Sequence, residues 1–175
     1  VEMVQDETSG YDALWPASEY CKQIFEQRSR QTGLAGYKTA DIFSSPMVVM
    51  SWPQVTDALT RRGMVRSQDG ALYINDMPKL LKMIEDRTKW KDVDSAVAMI
   101  YGAVNTKSTD PTKSNSGATL MGLYAGIMNG GDPPTVQQLE PLLKRLKAIA
   151  ERGGMQEASS GDIFSHALSQ GVGAY

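Results

Sequence analysis

The chain contains one cysteine, Cys21, and one histidine, His166, in 175 residues. A single thiol excludes an internal disulfide and a cysteine-built metal cluster. Cys21 falls between Tyr20 and Ile24 in a helical pattern, where it reads as a small buried hydrophobe. His166 has no nearby cysteine or second histidine to complete a metal site, and no Gly-x-Ser-x-Gly elbow supplies a nucleophile for it to serve. Phosphate loops of the Walker type and the Gly-x-Gly-x-x-Gly fingerprint are missing. Glu140, Glu151 and Glu157 scatter over helix surfaces without an evident acid/base partner, so an enzyme, a cofactor and a metal are not expected. No apolar run approaches the roughly 18 residues of a membrane span. The net charge is −2 and the pI about 5.4. Without a basic stripe, nucleic acid is not expected as a partner. The start, Val1-Glu2-Met3, lacks the charged and apolar regions of a signal peptide. Beginning on Val1 and stopping at Gly173-Ala174-Tyr175, the sequence reads as an excised piece of a longer one.

What is present is ordinary for a globular protein: 41% hydrophobic and 22% charged residues, in a length that suits one domain. Residues 1–10 are polar and acidic and read as a frayed or truncated end, leaving 11–175 as one domain. Apolar segments at Tyr11–Trp15, Asp41–Ser51 and Gly102–Ser108 read as strands. Gln68-Asp69-Gly70 between short apolar segments reads as a hairpin turn. Helices are expected from Ser18 to about Gly33, from Trp52-Pro53 to Arg61-Arg62, after Asp76, near Asp92 or Asp94, from Ser116 to about Met128, after Thr135 and after Ser159. The helix after Asp76 carries Met77, Leu80, Leu81 and Ile84 on one face; the one after Thr135 places Val136, Leu139, Leu142, Leu143, Leu146 and Ile149 inward. Alternating strands and helices predict an α/β domain with a mostly parallel sheet under helices.

The most informative segment is Thr109-Asp110-Pro111-Thr112-Lys113-Ser114-Asn115-Ser116-Gly117, followed directly by the apolar run Ala118–Met128. Asp-Pro favours a turn, and Ser114, Asn115 and Ser116 are good N-cap residues. A helix start bares N–H groups and partial positive charge. Hydroxyls and amides gathered there suit a small oxyanion, with Gly117 allowing close backbone approach. A plain cap explains the same residues. In open α/β sheets, ligands sit beyond the carboxyl ends of strands, where the next helix begins, and the 102–108 strand would lead to this turn.

Four segments occur in order: Tyr11-Asp12-Ala13-Leu14-Trp15-Pro16-Ala17-Ser18, Ser44-Ser45-Pro46-Met47-Val48-Val49, the Thr109–Gly117 motif, and Leu168-Ser169-Gln170-Gly171-Val172-Gly173-Ala174-Tyr175. The set resembles extracytoplasmic (periplasmic, type II) solute-binding proteins of ABC transporters, in the branch that includes sulfate- and molybdate-binding proteins. The resemblance implies a three-layer α/β lobe with a central, mostly parallel sheet flanked by helices, facing a second lobe of the same full-length protein. It further implies a small oxyanion or polar solute held between the lobes, an ABC transporter permease as partner, and an extracytoplasmic location, periplasmic or anchored at the cell surface. By position, Ser114 matches the hydroxyl-bearing anion contact, and Asn115 and Ser116 the residues whose backbone N–H groups face the ligand. Relatives often carry glycine at those two positions.

Other residues admit two readings each. Trp15 either walls the cleft or packs at the end of a strand. Ser18 is a cleft hydroxyl or a cap. Ser45, before Pro46, contacts ligand or marks a bend. Lys113 adds positive potential or is solvated, and Lys144-Arg145-Lys147 reads as a solvated helix face. A protein-interaction module that keeps the lobe fold without solute uptake is the competing expectation; it calls for an exposed apolar patch, using Trp52 or the ten methionines, and for self-association.

Overall fold

Capping residues and apolar spacing set most element boundaries in the computed structural model, which describes residues 12–154 and 156–171. The chain divides into two compact units at Met47/Val48, where one domain over 11–175 was expected. Residues 1–10 and the expected Tyr11 strand start lie outside the described residues, as do 172–175.

In the first unit, helix α1 spans Glu19–Thr32. Ser18 caps it by accepting from Cys21 N–H, and Gly33, at φ 75°, closes it in the left-handed region where glycine costs least. Cys21 is buried, as expected of a small hydrophobe. Phe25 and Tyr37 meet edge to face with ring centroids 5.1 Å apart.

The second unit holds helix α2 (Pro53–Arg61), strands β1 (Val65–Gln68) and β2 (Ala71–Ile74), helices α3 (Met77–Glu85) and α4 (Trp90–Val93), a 3-10 turn (Ser95–Val97), and helices α5 (Asn115–Met128), α6 (Val136–Arg152) and α7 (Ser160–Gln170). Asp69 at φ 52° and Gly70 at φ 78° make the tight turn that the sequence foretells, joining β1 and β2 antiparallel from Val65 opposite Ile74 to Gln68 opposite Ala71. Asp76 caps α3 through Lys79 N–H. Thr135 and Gln138 cap α6 reciprocally, which satisfies two of its orphan donors.

The core is helical. Ala58 and Leu59 of α2, Leu80, Leu81 and Ile84 of α3, Tyr124 and Ala125 of α5, and Leu146 and Ile149 of α6 pack with Met64, Val93, Val97 and Val104. Helix α6 lies against both α3 and α5. Val136 and Leu143, expected inward, are exposed; the buried stripe of α6 is narrower than its apolar spacing suggests.

The architecture mixes helix and strand, with 51% helix and a two-stranded sheet. The mostly parallel sheet expected from the sequence is not found among the described residues. Residues 12–15, 41–51 and 102–108 form no ladder there. Ile42, Phe43, Val48, Val49 and Met50 are exposed, so the 41–51 segment has the composition of a buried strand without neighbours to bury it. Residues 102–108 form one isolated bridge, Ala103 opposite Lys89, and Gly102 at φ 111° breaks the extended path. Among the described residues, no helix is long and apolar enough to cross a membrane.

Candidate functional site

The segment from Thr109 to Gly117 forms a tight corner at the start of α5. Asp110 organises it. Its Oδ1 accepts from Thr112 N–H at 2.9 Å and from the Thr112 hydroxyl at 2.7 Å, and its carbonyl accepts from Lys113 and Ser114 N–H. Those bonds, with the Thr112 hydroxyl foremost, hold the Asp110 carboxyl below the usual carboxylate range. Lys113 Nζ lies 3.4 Å from Asp110 Oδ2, so the two charges largely offset each other. What the corner presents to a ligand is therefore dipoles, not net charge.

A second strand of chain clasps the turn from outside. Asp110 N–H donates to the Glu157 carbonyl at 3.1 Å, and Thr109 bridges Glu157 in parallel. His166 Nδ1 sits 3.0 Å from Glu157 Oε1. That contact places the lone histidine as a brace for the clasp. Thr109 is buried, and its hydroxyl has no hydrogen-bond partner.

Ser114 is the N-cap of α5, in extended conformation, yet its side chain makes no cap bond. Ser18, Asp76, Thr135 and Ser159 each accept a backbone N–H at their own helix starts. Ser114 and Asn115 are half-buried, Ser116 is exposed and Gly117 is buried. The glycine has a local cause. A Cβ on Gly117 would stand 2.3 Å from the Thr109 carbonyl oxygen and 2.9 Å from Pro111 N, so the turn packs directly on the first turn of the helix. The space in front of Gly117 holds the chain's own backbone, and its role here is chain packing.

The structure thus brings Ser114, Asn115, Ser116 and Gly117 together at one helix start. Trp15, 75% exposed, and Ser45, also exposed, belong to the first unit. Trp15 is not the packed tryptophan that one of its readings required. Ser18 is a cap. Trp52 packs against the core, away from the role of an exposed patch. Arg145 of the expected solvated cluster is engaged with Glu85 through two of its guanidinium nitrogens, Nε at 2.6 Å and Nη2 at 2.9 Å. Among the described residues, no three His, Cys, Asp or Glu side chains are placed to hold a metal.

A cleft of about 590 Å³ in the second unit involves none of the predicted site residues. Four of its lining residues, Arg87, Lys89, Lys91 and Arg152, are cationic, and one, Glu151, is acidic. They were missed because the cations come from two segments far apart in sequence; only the spacing Arg87-x-Lys89-x-Lys91 signalled them.

Comparison with protein-family profiles, with known proteins and with solved structures finds no match to this chain.

Proposed function

We propose that this chain is a non-enzymatic lobe of an extracytoplasmic solute-binding protein that serves an ABC transporter, with a small oxyanion received at the start of α5. The observation that carries the reading is the open cap. Ser114 occupies the N-cap, and its hydroxyl takes no N–H from its own helix. The hydroxyl and the amide of the exposed Ser116 are both left for an outside group, in a place where the helix dipole favours negative charge. Gly117 contributes by letting the Asp110 turn lie flat on the helix.

The exposed apolar run in 42–50 supports the two-lobed form. In the three-layer lobe that the family resemblance implies, this segment and 102–108 take strand positions beside chain supplied by the rest of the protein. A hydrogen bond to a charged group contributes roughly 1.5–3 kcal/mol, while association costs about 4 kcal/mol or more. Two or three bonds from one lobe leave little net affinity. Closure of a second lobe supplies the remainder.

The test is calorimetric titration of sulfate and molybdate into the chain extended by its natural flanking sequence. Binding is expected there, and Ser114→Ala should weaken it by roughly 10- to 100-fold. Equal affinity in the two proteins would remove Ser114 from the site.

The same exposed run favours a second reading, a protein-interaction module without a solute role. That reading expects concentration-dependent self-association that Phe43→Ser and Val48→Thr together abolish, and no oxyanion binding by the extended chain.

A further inference from the structure

The 590 Å³ cleft in the second unit is of the size usual for small-molecule sites. One wall is the segment after α3, which carries Arg87, Lys89 and Lys91. Opposite lies 100–105, and Arg152 at the end of α6 closes one side. The two walls are tied together: Val104 N–H donates to the Thr88 carbonyl at 2.8 Å, and Trp90 N–H to the Gly102 carbonyl at 3.3 Å. Arg87 turns the chain into this wall with φ 55°, a conformation that costs a non-glycine residue about 1 kcal/mol or more.

The cleft carries four cations against one lining carboxylate, Glu151, and so keeps a positive excess. Among the described residues, Arg87, Lys89, Lys91 and Arg152 form no ion pair. Of the carboxylates close by, Glu85 pairs with Arg145 and Asp86 with Lys82; Glu151, which lines the cleft, lies 3.8 Å from Lys147. Arg152 Nη1 donates to the Ile84 carbonyl at 3.0 Å, which fixes its guanidinium at the C-terminal end of α3. The dipole of α3 explains a cation at Arg152. It does not reach Lys89 and Lys91, since its effect fades within the last turn. A chain of net charge −2 therefore gathers an excess of positive charge, four cations to one carboxylate, in one concave place. Low-dielectric walls from Ile84, Ile100 and Val104 strengthen the field of those cations.

Tyr101 lines the same cleft and is 98% exposed. A planar side chain held almost entirely in solvent beside a basic cleft offers a stacking face for a flat ligand.

We infer that this cleft is a second ligand site, independent of the start of α5, for a phosphorylated small molecule of nucleoside-diphosphate size: the phosphates meet Lys89, Lys91 and the two arginines, and the planar part stacks on Tyr101. Two or more negative charges are needed to match the cations. The apolar floor and the tyrosine call for a body beyond the phosphates.

The test is titration of ADP into residues 1–175, followed by calorimetry and by amide chemical shifts, with adenosine and inorganic phosphate as separate probes. ADP is expected to bind more tightly than either fragment, and less tightly as salt rises to physiological ionic strength. Lys89→Gln with Lys91→Gln should lower ADP affinity by about tenfold or more. Tyr101→Ala should lower it about fivefold while leaving phosphate binding as it was. These positions are exposed, and circular dichroism checks that the variants fold. No binding of ADP at millimolar concentration would overturn the inference. So would equal affinity in the double lysine variant, or loss of ADP binding on Ser114→Ala with none on the lysine changes, which would move the ligand to the start of α5.

Discussion

Gly117 lies flush against the Thr109 carbonyl, so close that a methyl group at its Cα would stand 2.3 Å from that oxygen. Gly122, one and a half turns further along the same helix, faces open space. The pair separates two effects of glycine in a helix. Replacing either by alanine gains about 1 kcal/mol of helix propensity. At Gly117 the clash is with backbone, which cannot swing aside, and overpacking costs about 3 kcal/mol. Gly117→Ala is therefore expected to destabilise by about 2 kcal/mol net, with Gly122→Ala stabilising by about 0.5–1 kcal/mol. Urea denaturation of both variants checks the pair. A neutral Gly117→Ala would mean that the Asp110 turn is free to lift off the helix.

Helix ends and the hairpin were legible in the sequence because their causes are local. Asp76, Thr135 and Ser159 cap where cap residues stand, and Asp69-Gly70 turns where its backbone freedom is needed. The sheet was not legible in the same way. The apolar content of 41–51 announced burial, but burial depends on partners that no local pattern specifies. Within the candidate site, residue type left Ser114, Asn115 and Ser116 all open as caps and the helix was expected from Ser116; it starts at Asn115, with Ser114 as its N-cap. The function of Gly117 did not, because contact with Thr109 joins residues whose approach only the folded turn defines. The basic cleft was illegible for the same reason: Arg152 stands far from Lys89 in sequence and joins it only through the packing of α6 on α3.

Asp94 ties α2 to the 3-10 turn. Its carboxylate receives Arg61 Nε at 2.8 Å and Nη2 at 3.0 Å, and Ala96 N–H at 2.9 Å. The bond from Arg61 foremost, then that from Ala96, lowers the Asp94 carboxyl to about 2. A group whose folded value is depressed stabilises the fold above its unfolded value, near 3.8, and loses that contribution as pH falls toward 2. Stability should therefore drop across this window in the wild type. Asp94→Asn should be less stable at neutral pH and show a shallower loss over the same acid range. Parallel acid titrations followed by circular dichroism would show this; identical curves would assign acid unfolding to other carboxylates.

Tyr124 is the largest fully buried side chain of the core, and its hydroxyl lies 2.7 Å from Thr106 Oγ1. Burial raises its ionisation above the usual phenol value, against a smaller opposing effect of Thr106. The folded state holds the proton longer than the unfolded chain, which ionises near 10. The contribution is thus complete below about pH 10 and declines as pH climbs from there toward the folded value. Tyr124→Phe is expected to cost about 1 kcal/mol at pH 7, because it removes one hydrogen bond while keeping the ring. The gap between the two proteins should narrow above pH 10, where the wild type alone must keep a buried phenol neutral. Urea midpoints measured at both pH values decide it.

The hydroxyl of Thr109 presents the opposite case, a polar atom buried without a partner. Such a group carries a desolvation cost of about 1–3 kcal/mol that nothing repays. Valine has nearly the same shape and no hydroxyl, so Thr109→Val should stabilise the chain by about 1 kcal/mol. The substitution leaves the Thr109 carbonyl in place, and with it the packing on Gly117. The double variant Thr109→Val with Gly117→Ala should then be additive, since the methyl added at position 117 meets the carbonyl and not the side chain. Thermal melts of the single and double variants measure both effects. A Thr109→Val protein less stable than wild type would show that the hydroxyl has a partner in solution, an ordered water being the simplest, and that the start of α5 is wetter than its tight turn implies.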